Sequence, residues 1–187
     1  MFPSSKVEFT YQVNMNEHKP NEQRITLKPF TSEDIDDFMV WATDDDVTKY
    51  MMWDTYTSRD EAIVFFTNIV EKHPWFKAIC LNGKVIGSIT LDKGKGAHSC
   101  KAELGYVVAR KYWGKGLATN AIQGAMKTAF EDLNIERIEA YVDPTNIGSQ
   151  RALEKNGFTQ EGLLRNYVIQ KGVVKDRFIY SFLKSGS

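Results

Sequence analysis

The stretch CKAELGYVVARKYWGKGLATNAI, Cys100 to Ile122, decides how the rest of the chain is read. Its first ten residues, Cys100 to Ala109, read as a strand. From Leu117 onward the residues Leu117, Ala121, Ala125, Thr128, Ala129 and Leu133 recur on one face at helical spacing, with Ile122, Met126 and Phe130 beside them. Between strand and helix stand Gly114 and Gly116. Glycine removes the Cβ atom, so the backbone can take positive φ and a ligand can approach it closely. A helix N-terminus offers unpaired N–H groups and the positive end of the dipole, which suits an anion. Lys111 and Lys115 add positive charge. A phosphate cradle and a plain tight turn both explain these letters, and a short G-x-G does not separate them.

Two other phosphate motifs do not fit. The P-loop needs G-x-x-x-x-G-K-[ST], which the letters around Gly114 lack. The dinucleotide-binding unit needs G-x-G-x-x-G followed by an acidic residue about 20 positions on, after the first strand. Here Thr119 stands at the third glycine, the next strand ends at Asp143, about 29 residues after Gly114, and several strands precede the loop.

Outward from this core the chain alternates strands and helices. RITLKPF, Arg24 to Phe30, reads as a strand, and TSEDIDDFMVWATDD begins a helix capped by Thr31 or Ser32 with Ile35, Phe38, Met39 and Ala42 on one face, ended by Asp44 to Asp46. Val47 to Tyr56 is aromatic and methionine-rich without a clean period. Ser58 opens a second helix whose stripe is Ala62, Phe65, Phe66, Ile69 and Val70. Asn82-Gly83, between FKAICL and KVIGSITL, signals a hairpin because both residues tolerate positive φ. Glu136 to Asp143 reads as a strand, GSQRALEKNGF as a short helix stopped by Gly157, and two final strands turn at Lys171-Gly172. The order β α α β β β α β α β β predicts an α+β architecture, a mostly antiparallel sheet with helices packed on it, over residues 24–184; residues 1–23 read as a polar tail.

Composition narrows function by exclusion. The 187 residues carry 24 Lys plus Arg against 24 Asp plus Glu, so the net charge is zero and nothing in the balance supports nucleic-acid binding. No run reaches the roughly 18 apolar residues of a membrane span, and the expected location is the cytoplasm, with the nucleus as alternative. Cys80 and Cys100, in apparent strands, are expected as reduced, half-buried thiols; His18, His73 and His98 are scattered, so no metal is expected.

AELGYVVARKYWGKGLAT, RIEAYVDPTNIGSQRALEKNGF and EGLLRNYVIQKGVVKDRFIYSFL follow one another in fixed order. Together they resemble the GNAT superfamily of acetyl-CoA-dependent N-acetyltransferases, and within it the RimJ/RimL-like, ribosomal-protein-acetyltransferase-type branch. The resemblance spans about residues 24–184 and rests on N-x-x-S-x-x-x-L-E-K-x-G-F followed by E-G, after W-G-K-G. It implies that the backbone of Val107, Val108 and Ala109 pairs with the pantetheine arm. The amides from Gly114 through Lys115, Gly116, Leu117 and Ala118, aided by Lys111, would hold the pyrophosphate, and Asn146 would bond the pantetheine or a backbone group in the cleft.

The implied chemistry is attack of a neutral amine on the thioester. It needs a proton acceptor for the amine, donors for the oxyanion and a proton for the leaving thiolate. Many members place a tyrosine where this chain has Leu153. Ser149 matches the serine of the RimJ/RimL-like branch, so the resemblance implies a thiolate donor there; capping the helix is its structural alternative. Glu103 is the candidate base, through water, with a carboxylate paired to a nearby Arg or Lys as the competing role. Asn120 and Val168 stand where members of the branch carry glutamates. The acceptor, a peptide N-terminus or a small amine, would meet Tyr50, Trp53 and Tyr167, with Trp75 nearby. A monomer or homodimer is expected, and a silent acyl-CoA-binding domain is the alternative function.

Overall fold

The computed structural model describes residues 24–184; the expected polar tail over residues 1–23 and His18 lie outside them. The elements are β1 (Ile25–Pro29), α1 (Ile35–Ala42), α2 (Asp45–Thr48), α3 (Arg59–Phe65), β2 (Phe76–Leu81), β3 (Lys84–Lys93), β4 (Lys101–Val108), α4 (Leu117–Leu133), β5 (Arg137–Val142), α5 (Ile147–Lys155), β6 (Thr159–Gln170) and β7 (Val173–Leu183). Among the described residues the strands form one sheet of seven in the order β1-β2-β3-β4-β5-β7-β6. Every neighbouring pair is antiparallel except β4 with β5. This α+β arrangement agrees with the mostly antiparallel sheet that the resemblance implies, and with the glycine loop after the fourth strand of a mixed sheet it removes the dinucleotide-binding reading.

The local signals produce these elements. Asn82 and Gly83 sit at φ 50° and 87°, and Lys171 and Gly172 at 50° and 76°, the positive-φ pairs that a two-residue hairpin turn needs to match strand twist. Ser58 Oγ accepts the N–H of Glu61 at 3.3 Å and starts α3. Two cores then cover the two sheet faces. Ala121, Ala125 and Ala129 let α4 lie close against one face, where Leu117, Ile122, Leu104, Ile138 and Leu153 are buried with them. On the opposite face Phe30, Phe38, Trp41, Val47, Phe66 and Val70 bring α1 and α3 against β1–β3.

Several expectations need correction. α1 ends at Ala42, and Asp44 begins the extra turn α2 by accepting the N–H of Asp46 at 3.0 Å, so the acidic run divides two helices rather than ending one. Trp41, not Met39, is fully buried on α1. Ile69 is exposed because α3 continues as a π-turn over Phe66–Val70, with the Glu71 N–H reaching the Phe66 carbonyl at 2.9 Å; the wider turn carries burial from Ala62 to Phe66 to Val70 and swings Ile69 outward. Thr128 lies on the solvent side of α4. Cys80 is buried, whereas Cys100 lies in the turn before β4 and is exposed; both are free thiols.

Candidate functional site

The site begins where two strands part. β4 and β5 pair only through Lys101 with Arg137, Ala102 with Ile138 and Glu103 with Glu139. Beyond that point Leu104–Val108 stay paired with β3, and Ala140–Val142 with β7. Strand backbone must be paired with something, so the inner edges of this gap are open to an extended ligand. A cavity of about 520 Å³ occupies the gap and extends to the N-terminus of α4.

Gly114, Gly116, Leu117 and Ala118 form that end of the wall. Gly114 and Gly116 adopt φ 71° and 74°, and a Cβ built on either meets no atom within 4 Å. Gly116 is the N-cap residue of a 17-residue helix, and no side chain caps it. The first-turn N–H groups therefore face the cavity end uncapped, which is an anion site by geometry and dipole together. Asn156 Nδ2 donates to the Thr119 carbonyl at 3.1 Å and locks α5 to this first turn.

On the other wall Asn146 caps α5: its Oδ1 accepts the Ser149 N–H at 3.1 Å. The cap is thus Asn146 and not Ser149, whose hydroxyl is left for other work. Tyr106, on β4, places its hydroxyl 2.7 Å from Ser149 Oγ and 3.2 Å from the Ser149 carbonyl. Burial pushes the Tyr106 phenol up to about 12, against the pull of the Ser149 hydrogen bond. Leu153 is fully buried in the α4-side core, so that position offers no acid.

Strand alternation puts Glu103 on the face opposite Tyr106, at the last residue pair before the gap. The neighbouring cations are committed elsewhere. Lys101 Nζ bonds Glu139 at 2.6 Å, and Arg137 Nε bonds Glu139 at 2.7 Å while its Nη1 and Nη2 hold Glu161 at 2.8 and 2.5 Å. Burial pushes the Glu139 carboxyl up, but its bonds from Lys101, Arg137 and Tyr141 prevail and hold it below the usual range. Glu103 reaches solvent, yet surrounding protein removes enough water to raise its pKa, with Asp92 and Glu139 adding repulsion.

The sequence comparison decides the family. The acetyltransferase (GNAT) domain profile matches residues 24–159. The chain belongs to the GNAT acetyltransferase family. It is 34% identical over 171 residues to an N-acetyltransferase of Bacillus licheniformis known as p20, covering 87% of this chain and 94% of that one. A GNAT-family acetyltransferase structure from Bacillus anthracis superposes with a TM-score of 0.77 at 25% identity, over 87% of this chain and 96% of that one. RimJ of Mycobacterium smegmatis, solved with CoA-disulfide, gives 0.75 at 24% identity, over 85% and 81%. The chain is accordingly an acetyl-CoA-dependent acyltransferase by family.

Within this GNAT cleft the structure gathers Val107, Val108, Gly114, Gly116, Leu117, Ala118, Asn146, Ser149 and Tyr50 on one cavity wall system. Other expected residues stand apart. Ala109 spends its N–H on the Ile86 carbonyl at 2.8 Å, in the α1-side core. The Val108 carbonyl already accepts the Trp113 indole N–H at 2.7 Å. Lys111 and Lys115 place their ammonium groups over the ring of Tyr112, a wall residue, 5.0 and 5.7 Å from its centroid, and do not themselves line the cavity. Trp53 packs against Phe38 and Tyr56, with ring centroids 6.3 and 5.3 Å away, and does not line the cavity. Trp75 is buried on the α4 side, bonding Asp132 at 3.3 Å, so it does not rim the site. Tyr167 stacks on Tyr141 at 5.1 Å and 20°, on the sheet region beside Glu139.

Sequence reading missed Tyr106, Trp113, Arg151 and Lys155, all in the cavity wall. Arg151 and Lys155 lie one and two turns past the Asn146 cap, a spacing that was available in the letters. It also missed a brace. Gln170 is buried, donates to the carbonyls of Lys49 and Met51 at 3.0 and 2.7 Å, and accepts from Arg177 Nη2 at 2.7 Å. Arg110 pairs with Asp46 from the far side. These contacts hold Tyr50 and Met51 against the cavity.

Proposed function

We propose that this protein moves the acetyl group of acetyl-CoA to the primary amine of a peptide N-terminus or a small molecule, by direct attack in a ternary complex, as a cytoplasmic enzyme of the RimJ/RimL-like branch. The observation that carries the reading is the β4–β5 gap ending at an uncapped, glycine-led helix N-terminus. One continuous cavity then serves an extended arm and a pyrophosphate together. The α4 amides would hold the pyrophosphate, and the free edges of β4 and β5 would pair with the arm's amides. That brings the thioester sulfur to the Ser149 end of the gap, and the acceptor approaches from the Glu103 face. The amine nitrogen attacks the carbonyl carbon, and its surplus proton passes through water to Glu103. The C–S bond then breaks with its electron pair remaining on sulfur, where the Ser149 hydroxyl donates. A raised Glu103 pKa suits a base working near neutral pH.

Thiol release from acetyl-CoA against peptides with varied N-termini, lysine peptides, arylalkylamines and polyamines tests this. Turnover with N-terminal or small amines is expected. CoA binding by calorimetry without thiol release on any of them would overturn the catalytic reading in favour of a silent binding domain.

A further inference from the structure

We infer that Tyr106 is a positioning residue for thiolate departure: its phenol donates to Ser149 Oγ and so leaves the serine's own hydrogen for the leaving sulfur. This rests on the acetyl-transfer reading above and adds a group to it that the family pattern at Leu153 does not supply. A phenol has one hydrogen to give. Two Ser149 oxygens lie within its reach, Oγ at 2.7 Å, where either hydroxyl can be the donor, and the carbonyl at 3.2 Å; the phenol hydrogen is assigned to the shorter contact. The Ser149 oxygen is then anchored as an acceptor, with its hydrogen directed away from Tyr106. Tyr106 and Ser149 both line the cavity, one on each side of the gap.

The proton accounting limits the role. Relaying both protons would leave a phenolate at a partly buried, poorly hydrated site, and a phenol pushed up to about 12 resists that. The pair therefore stabilises the developing thiolate by two hydrogen bonds in series, each strengthening the next. Sulfur takes its proton from solvent as CoA leaves, and neither side chain changes charge.

Tyr106→Phe keeps the ring and removes only the donor. Its kcat for thiol release is expected to fall roughly tenfold while the Kd for CoA moves less than threefold, since one hydrogen bond is lost at the reacting end alone. The double variant with Ser149→Ala should be no slower than Ser149→Ala by itself, and Ser149→Thr should retain activity. A second readout is independent of turnover: the thiol pKa of bound CoA, followed by thiolate absorbance, should rise in Tyr106→Phe and in Ser149→Ala. Wild-type kcat in Tyr106→Phe, or losses that multiply in the double variant, overturns the proposal. A wild-type protein that binds CoA without transferring acetyl overturns the parent reading instead, and the bound-thiol titration still judges the pair: an unchanged thiol pKa in Tyr106→Phe sinks it. Should the phenylalanine variant fail to fold, difluorotyrosine at 106, of nearly the same shape with a more acidic phenol, is expected to lower the bound-thiol pKa, and no shift would refute the donation.

Discussion

Replacing Gly116 with alanine separates two physical effects at one atom. The residue sits at φ 74°, where an added Cβ crowds the following carbonyl. That costs about 1–2 kcal/mol for a non-glycine residue whether or not a ligand is present. In a domain of this size the corresponding fall in Tm is roughly 2–8 °C. The new methyl meets no protein atom within 4 Å, so nothing else in the fold opposes it. A pyrophosphate on the α4 amides, however, would have to share that space. Gly116→Ala is therefore expected to weaken CoA binding at least tenfold, about 1.4 kcal/mol. Gly83→Ala, at φ 87° with equally open surroundings in the β2–β3 turn and outside the cavity, is the control for strain. Calorimetry with CoA and thermal melts on both variants give the two quantities separately. If Gly116→Ala melts lower but binds CoA with wild-type affinity, the glycine serves only the turn and the cradle assignment is wrong.

Three further outcomes follow from the same geometry. Gln170→Ala leaves two carbonyls and the buried Arg177 short of partners and should cost about 2–4 kcal/mol in urea unfolding; it should also raise the acceptor KM more than the CoA Kd, because Tyr50 and Met51 lose their anchor, and an unchanged melt would refute the brace. Glu103 has a raised folded pKa, so its charged form is disfavoured by the fold and stability is lost as pH rises through that value. Glu103→Gln should thus melt higher than wild type at neutral pH, converge with it below the ordinary carboxylate pKa of about 4.3, and turn over more slowly; equal turnover would remove the base. Glu161 is held down at about 2 by its bonds from Arg137 and Ser181, so its stabilisation is present above about 4.3 and lost as pH falls toward 2. In Glu161→Gln the acid limb of a melt-against-pH curve should be shallower, though modestly, since the pair is partly exposed; an unaltered limb would count against the ion pair.

The chain's letters determined what depends on neighbours in sequence. Asn82-Gly83 and Lys171-Gly172 became hairpin turns, Ser58 became a cap, and Gly114 and Gly116 became positive-φ residues leading into α4, because turn and cap energetics are local. The motif order carried the family; of the residues it pointed to, Val107, Val108, Gly114, Gly116, Leu117, Ala118 and Asn146 line one cavity, and Ala109, Lys111 and Lys115 do not. Local patterns failed where register or long-range packing intervened: one π-turn was enough to expose Ile69, and aromatic residues such as Trp53 and Trp75 look the same in sequence whether they line a site or fill a core. Only the tertiary structure decided which charges meet. The three-residue β4–β5 pairing sets Glu103 beside Glu139, and Lys101 and Arg137 both bond Glu139, leaving Glu103 at the edge of the gap. Tyr106 meets Ser149 across 43 positions and Gln170 meets Lys49 across 121. Contacts of that kind depend on where strands part and helices dock, which the whole core fixes and no short stretch of sequence encodes.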